Sequence, residues 1–183
     1  MYDAARWHAA LNDLPAALLL AAVLFDLGAW LWKRESLAWA AIWTLWLGVV
    51  GGWAAVIAGN LAEERIDHGE AIHELMERHE LLGYVTMGIF TVVLVWKLWR
   101  RVGRRAAEEW VLRGLGVVGV VALLVLANIG GRLVFEHAAG VPNERMRDEL
   151  LDRGVLLPAT DSAAAPAPGG GHEHAPGTPA HEH

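Results

Sequence analysis

Residues 37–61 read LAWAAIWTLWLGVVGGWAAVIAGNL, a run without a single charged side chain. A helix that rises 1.5 Å per residue needs about 20 residues to cross the roughly 30 Å hydrocarbon core of a bilayer. Three further apolar runs, at residues 14–32, 81–99 and 114–131, come close to that length or reach it. Four such runs in 183 residues leave too little polar surface for a soluble protein. The sequence therefore predicts an all-α integral membrane four-helix bundle.

The composition excludes several classes of function. The chain is 55% apolar, has a mean hydropathy of +0.31 and carries a net charge of −6. This charge argues against a nucleic-acid partner, which would require a basic face. Because the chain has no cysteine, it has neither disulfides nor an iron–sulfur cluster ligated by cysteine. The predicted partner of the chain is the lipid bilayer rather than a nucleic acid.

The chain divides into a membrane domain, residues 1–157, and a tail, residues 158–183. The tail reads PATDSAAAPAPGGGHEHAPGTPAHEH, and its Pro, Ala and Gly content without apolar periodicity predicts disorder. Its two HEH triplets are typical of tracts that bind transition metals, although a solvated tail without a role is an equal alternative. Just before the tail, residues 143–157 predict a short amphipathic helix.

Charged residues in the loops predict the orientation in the membrane. Lysine and arginine concentrate around the links at residues 33–34 and 100–105, whereas residues 63–80 are strongly acidic. Because basic loops remain in the cytoplasm, both termini should face outward. Tryptophans gather on the predicted cytoplasmic side, as an aromatic belt would: Trp30, Trp32, Trp39, Trp96, Trp99 and Trp110.

The five histidines before the tail all lie on the predicted outward side. Tolerance of histidine for membrane interfaces is sufficient to explain His68 and His73, which fall in the acidic loop. His8, His79 and His137 instead fall at predicted helix ends, where three helices can converge at one depth. We therefore predict that these three histidines form a binding site.

Seams of small residues lead along three spans towards the predicted site. At steps of three and four residues, they reach Glu63 after the second span, His79 before the third and His137 after the fourth. Such seams let helix backbones approach closely. Helix packing explains the glycines but not the ionisable residue that ends each seam. Glu63 and Glu136 are accordingly predicted as further ligands or as hydrogen-bond partners of the imidazoles.

Two kinds of occupant suit these residue types. Imidazole and carboxylate groups bind zinc, copper or iron ions. A b-type haem instead needs two axial histidines that face each other across a bundle, and small residues that admit the macrocycle. His79 and His137, with Gly83 and Gly130 inward of them, match this second pattern. The identity of the occupant stays open.

Asp26 is the one acidic residue within a predicted span. A carboxylate at membrane depth is costly and usually faces the bundle or a partner. Because Lys33 lies seven residues later on the same helical face, the structural interpretation is an Asp26–Lys33 pair. A proton-handling role for Asp26 is the alternative.

Several stretches between residues 7 and 141 have a familiar pattern. They are WHAALNDLPAALLLAAVLFDL from residue 7, GNLAEERI from 59, HELLGY from 79 and GGRLVFEHAAGV from 130. Together they resemble the bacterial membrane family catalogued as domain of unknown function 2231, with Asp13 where the family has a second histidine. The matching residues are His8, Pro15, Asp26, Gly59, Glu63, His79, Gly83, Gly130, Gly131, Glu136, His137, Gly140 and Val141.

The resemblance implies a four-helix domain in the inner membrane of a bacterium, and the loop charges would put both termini in the periplasm. Similar domains are fused to c-type cytochrome or Rieske-like modules, which implies redox partners. We therefore expect a small membrane redox subunit with a b-haem or transition-metal site near the outer face. One alternative is a transition-metal relay protein with a histidine-rich capture tail, and another is a structural subunit of a membrane assembly. No nucleophile or base arrangement supports an enzyme.

Overall fold

Four long helices dominate the computed structural model, which describes residues 3–63, 70–99 and 105–155. They are α1 (Asp3–Trp32), α2 (Glu35–Glu63), α3 (Glu70–Trp99) and α4 (Ala106–Phe135). At 29 or 30 residues, each contains a segment long and apolar enough to cross a membrane. The prediction of an all-α four-helix membrane bundle is confirmed.

The helices continue beyond the predicted spans. α1 begins at Asp3 rather than at residue 14, and α3 begins at Glu70 rather than at residue 81. Hydropathy marks only the segment that suits hydrocarbon, whereas the hydrogen-bonded backbone continues through polar turns on either side. His8 and His79 therefore lie within helices, not at their first residues.

The two ends of the bundle differ in their residues. α1 and α3 begin at the histidine end, which contains His8 and His79. α1 and α3 finish at the opposite, arginine end, where Lys33, Arg34 and Arg105 follow or precede helices. The six predicted belt tryptophans all belong to the arginine end and are exposed, and two of them make an edge-to-face contact at 4.9 Å between ring centroids: Trp30 and Trp110.

The core lies in the middle of the bundle, where side chains from all four helices pack together. Leu19 of α1, Phe90 of α3 and Leu112 of α4 are each at most 1% exposed. Lipid offers these side chains no hydrophobic reason to cluster, so close packing is what holds the helices together. Glycines make the packing close: a Cβ on Gly48 would lie 2.8 Å from Cδ2 of Leu19.

Asp26 binds residues of other helices, so the predicted Asp26–Lys33 pair is wrong. Its Oδ1 accepts a hydrogen bond from Nζ of Lys97 at 2.6 Å, and its Oδ2 lies 3.6 Å from Nε of Arg113. Lys33 follows the end of α1 with a φ of 52°, so it no longer continues the helical face that contains Asp26. The carboxylate thereby links α1 to α3 and α4.

The described residues from Asn143 to Val155 belong to a unit separate from the four-helix bundle. The predicted amphipathic helix is present as α5 (Asn143–Asp152). Gly154, with a φ of 68°, closes the helix, and the amide of Val155 donates to the carbonyl of Leu150 at 2.9 Å. The predicted disordered tail, residues 158–183, lies outside the described residues.

Candidate histidine site

His8 of α1 and His79 of α3 meet at the histidine end of the bundle. Their ring centroids are 6.3 Å apart, and the ring planes are inclined by 84°. Both side chains are partly buried. Two of the three predicted histidines are thus brought together by tertiary packing alone, since they belong to helices that share no loop.

The His8 ring lies against the backbone of α2. Its Nδ1 is 2.8 Å from the carbonyl oxygen of Ala55. One turn later, a Cβ on Gly59 would lie 3.0 Å from both Cε1 and Nδ1 of the ring, so glycine is what allows this approach. Because a carbonyl oxygen only accepts hydrogen bonds, Nδ1 carries the proton in a neutral His8. The Nε2 lone pair is therefore available for another partner.

The His79 ring lies against the backbone of α4 in the same manner. A Cβ on Gly130 would lie 3.0 Å from Cε1 and 3.6 Å from Nδ1 of the ring. The ring also interacts with the backbone of Leu126, one turn earlier. Its Nδ1 is buried and finds no hydrogen-bond partner in the part of the chain that the structure describes. A buried polar atom without a partner costs about 1–3 kcal/mol, so this nitrogen is suited to a ligand.

His137 does not join the pair. α4 ends at Phe135, and His137 follows in a turn in which Ala138 has a φ of 52°. The predicted seam through Gly130 requires the helix to continue to His137, whereas α4 ends two residues before it. Gly130 receives His79 instead. No ring contact involves His137 within the described ranges.

Neither predicted carboxylate forms a hydrogen bond or an ion pair with the imidazoles among the described residues. Glu136 accepts from Nε of Arg132 at 3.0 and 3.2 Å, and Glu63 makes no hydrogen bond or ion pair with a described residue. Across residues 3–63, 70–99 and 105–155, no group of three or more histidines and carboxylates could hold a metal ion. Of the five predicted site residues, the described structure brings two imidazoles together, those of His8 and His79.

The remaining histidines of the acidic segment fall into two cases. His73 lies on the exposed surface of α3, with Nε2 3.3 Å from Oε1 of Glu77. His68 lies outside the described residues. The interfacial interpretation of both stays a prediction.

Sequence reasoning missed two features that surround the pair. The carbonyl of Ala55 holds the His8 ring, and no sequence signal marks a backbone acceptor. The amide of Asn60 donates to the hydroxyl of Tyr84 and so links α2 to α3, next in sequence to Gly59. Polar residues within an apolar span could have signalled this second contact, because such residues are favoured where helices meet.

The matched segment decides the family. The family described as "Predicted membrane protein (DUF2231)" matches residues 6–143 of the chain. The chain belongs to this family. The match includes most of α1 and all of α2, α3 and α4, and therefore both members of the histidine pair. No curated protein and no solved structure matches this DUF2231 protein.

Proposed function

We propose that this DUF2231 protein is a small membrane redox subunit in which His8 and His79 hold a b-haem or a transition metal ion. The observation that supports the proposal is the close pair of imidazoles, with ring centroids 6.3 Å apart. Each ring has a nitrogen that protein atoms leave available, namely Nε2 of His8 and Nδ1 of His79.

The separation of the rings fits one centre between them. Imidazole nitrogens bind transition metals at about 2.0–2.1 Å, so two rings on opposite sides of one centre have centroids roughly 6 Å apart. The hydrogen bond from His8 to the Ala55 carbonyl is the kind of outer contact that fixes the tautomer and orientation of metal-binding histidines.

The space around His79 also supports an occupant. Gly83 lies one turn after His79 and is buried, yet a Cβ there would meet no atom within 4 Å. Gly130, in contrast, is already used by the imidazole itself. We therefore expect the space for a haem macrocycle to lie beside Gly83 of α3.

The residues of the chain would bind, orient and shield the group. When bound, a haem or a redox-active metal ion supplies one-electron transfer. His8 would keep a fixed direction through Ala55, and Gly59 and Gly130 would let the imidazoles lie close to the helix backbones. The surrounding apolar bundle would limit access of water and so raise the strength of each charge interaction at the site.

The membrane placement of the site follows from loop charge. Arg105 and the neighbouring basic residues would keep the arginine end in the cytoplasm, which leaves the histidine end and both termini on the periplasmic side of a bacterial inner membrane. The site would then exchange electrons with partners at the outer surface, such as c-type cytochromes or Rieske-like proteins.

The absorption spectrum and the metal content of detergent-purified protein test the proposal. A Soret band with alpha and beta bands on reduction supports a b-haem, and stoichiometric copper or iron without these bands supports a redox metal ion. Stoichiometric zinc would favour the metal-relay function, because zinc has no redox chemistry. Protein without any bound group, even after reconstitution, would favour a structural subunit and contradict the proposal.

A further inference from the structure

The first half of the bundle, α1 and α2, contains a histidine–glycine contact that the second half, α3 and α4, repeats. The corresponding residues of the two halves differ by 71 in residue number. His79 follows His8 by this shift, and Gly130 follows Gly59 by the same shift. In each half, a Cβ on the glycine would lie 3.0 Å from the imidazole. The two rings also interact with the backbone of residues that differ by 71 in number, Ala55 and Leu126. The contact of α1 with α2 therefore reappears between α3 and α4.

A second contact, deeper in the bundle, obeys the same relation. A Cβ on Gly48 would lie 2.8 Å from Leu19, and a Cβ on Gly119 would lie 2.9 Å from the ring of Phe90. Phe90 follows Leu19 by 71 residues, and Gly119 follows Gly48 by 71 residues. At 1.5 Å per residue, Leu19 lies about 16 Å along α1 from His8. The correspondence thus covers much of the helix length.

Two contacts between equivalent residues indicate how the two halves of the bundle are related. His8 contacts His79 at one end of the bundle, and Asp26 binds Lys97 at the other end. In each pair the two residues differ by 71 in number, so each residue contacts the equivalent residue of the other half. Equivalent units bring a position into contact with its own counterpart at a two-fold axis. A pseudo-two-fold axis therefore runs between α1 and α3, from the histidine end to the arginine end.

We infer that the bundle consists of two equivalent helix hairpins, and that each hairpin supplies one imidazole to a single centre on their pseudo-two-fold axis. Gly59 and Gly130 are equivalent positioning residues, because each lets an imidazole lie against the backbone of the neighbouring helix. Each hairpin supplies one imidazole, although the two rings are turned differently: Nδ1 of His8 contacts the Ala55 carbonyl, whereas Nδ1 of His79 has no hydrogen-bond partner among the described residues. The occupancy of the centre rests on the proposed function, whereas the equivalence of the hairpins does not.

Titration of the full-length protein in detergent with haemin, and separately with Co²⁺, tests the shared centre. His8→Ala and His79→Ala should weaken binding of a given probe by equal factors, and Gly59→Ala and Gly130→Ala should each weaken it by about 10–100-fold, as loss of ligand orientation does. Gly131→Ala is the matched control, since a Cβ there meets no atom within 4 Å. A loss in only one histidine variant, or in neither, overturns the shared centre.

Rescue by free imidazole separates a ligand from a structural residue. His8→Gly and His79→Gly should both regain the wild-type spectrum of the probe when imidazole is added, because the free ring can occupy the space that either substitution leaves. Rescue of one variant only would contradict the equivalence of the two ligands.

Thermal stability tests the repeat without any bound group. If wild-type protein binds neither probe, the proposed function fails, and the hairpins can still be compared. Gly48→Ala and Gly119→Ala should lower the unfolding midpoint by similar amounts, whereas Gly114→Ala should not lower it, since its Cβ meets no atom within 4 Å. A loss in only one of the first two variants, or in neither, overturns the repeat.

Discussion

The ion pair of Asp26 should be a main determinant of stability at the arginine end. Its carboxylate contacts Lys97 at 2.6 Å and Arg113 at 3.6 Å, and the side chains of the two cations are only 7% and 14% exposed. Asp26→Asn removes the negative charge that faces both cations. Breaking a buried pair from one side costs about 3–5 kcal/mol. Lys97→Met should cost less, because Asp26 keeps its contact with Arg113.

A double-mutant cycle measures this coupling. The loss of unfolding free energy in Asp26→Asn/Lys97→Met should be smaller than the sum of the two single losses, by about 1–3 kcal/mol, as for residues within one network. Unfolding in one detergent can be followed by tryptophan fluorescence. Arg113, which contacts Asp26, lies 5.8 Å from the Trp30 ring and 6.0 Å from the Trp110 ring, so these tryptophans report on the surroundings of the ion pair.

An exposed pair provides the control for this cycle. Glu74 and Arg78 form an ion pair whose side chains are both 67% exposed, so Glu74→Gln should cost less than about 1 kcal/mol. If Asp26→Asn costs no more than Glu74→Gln, or if the losses in the cycle simply add, the reasoning about the buried pair is refuted.

Three further predictions concern topology, the tail and the remaining histidines. Alkaline phosphatase fused to the C-terminus should be active and a cytoplasmic fluorophore dark, because the arginine end should remain inside; the opposite pattern would reverse the orientation. Deletion of residues 159–183 should leave the unfolding midpoint unchanged, since this segment has no apolar periodicity, and a lower midpoint would mean that the tail packs on the protein. Double replacement of His68 and His73 by Ala should leave bound haem or metal unchanged on analysis of the purified protein; a loss would extend the site to the acidic segment.

The fold was predictable because lipid restricts the choices. A chain within hydrocarbon must satisfy its backbone hydrogen bonds internally, so long apolar runs become helices. Helix bounds were less predictable, since Asp3 and Glu70 begin helices in polar sequence that hydropathy does not register. The partner of Asp26 was not predictable either. Spacing suggested Lys33 on the same helix, whereas Lys97 is adjacent only because of how the helices pack.

The arrangement of the candidate site was predictable in part. Side-chain chemistry singled out His8 and His79, but His137 was included by extending a helical spacing beyond Phe135, where α4 ends. The repeat is readable from the sequence in retrospect, because comparison of the chain with itself at one fixed shift aligns Trp39 with Trp110 as well as the histidines and glycines. Because 55% of the residues are apolar, many positions match at any offset, and the offset of 71 residues does not stand out.

The amount of bound group per chain in histidine variants tests the central claim most directly. Haem and metal are quantified for wild-type, His8→Ala, His79→Ala and His137→Ala proteins that unfold at similar temperatures. We expect one haem or ion per wild-type chain, severe loss in the His8 and His79 variants, and retention in the His137 variant. Full occupancy in both His8→Ala and His79→Ala would contradict the claim that this pair forms the site.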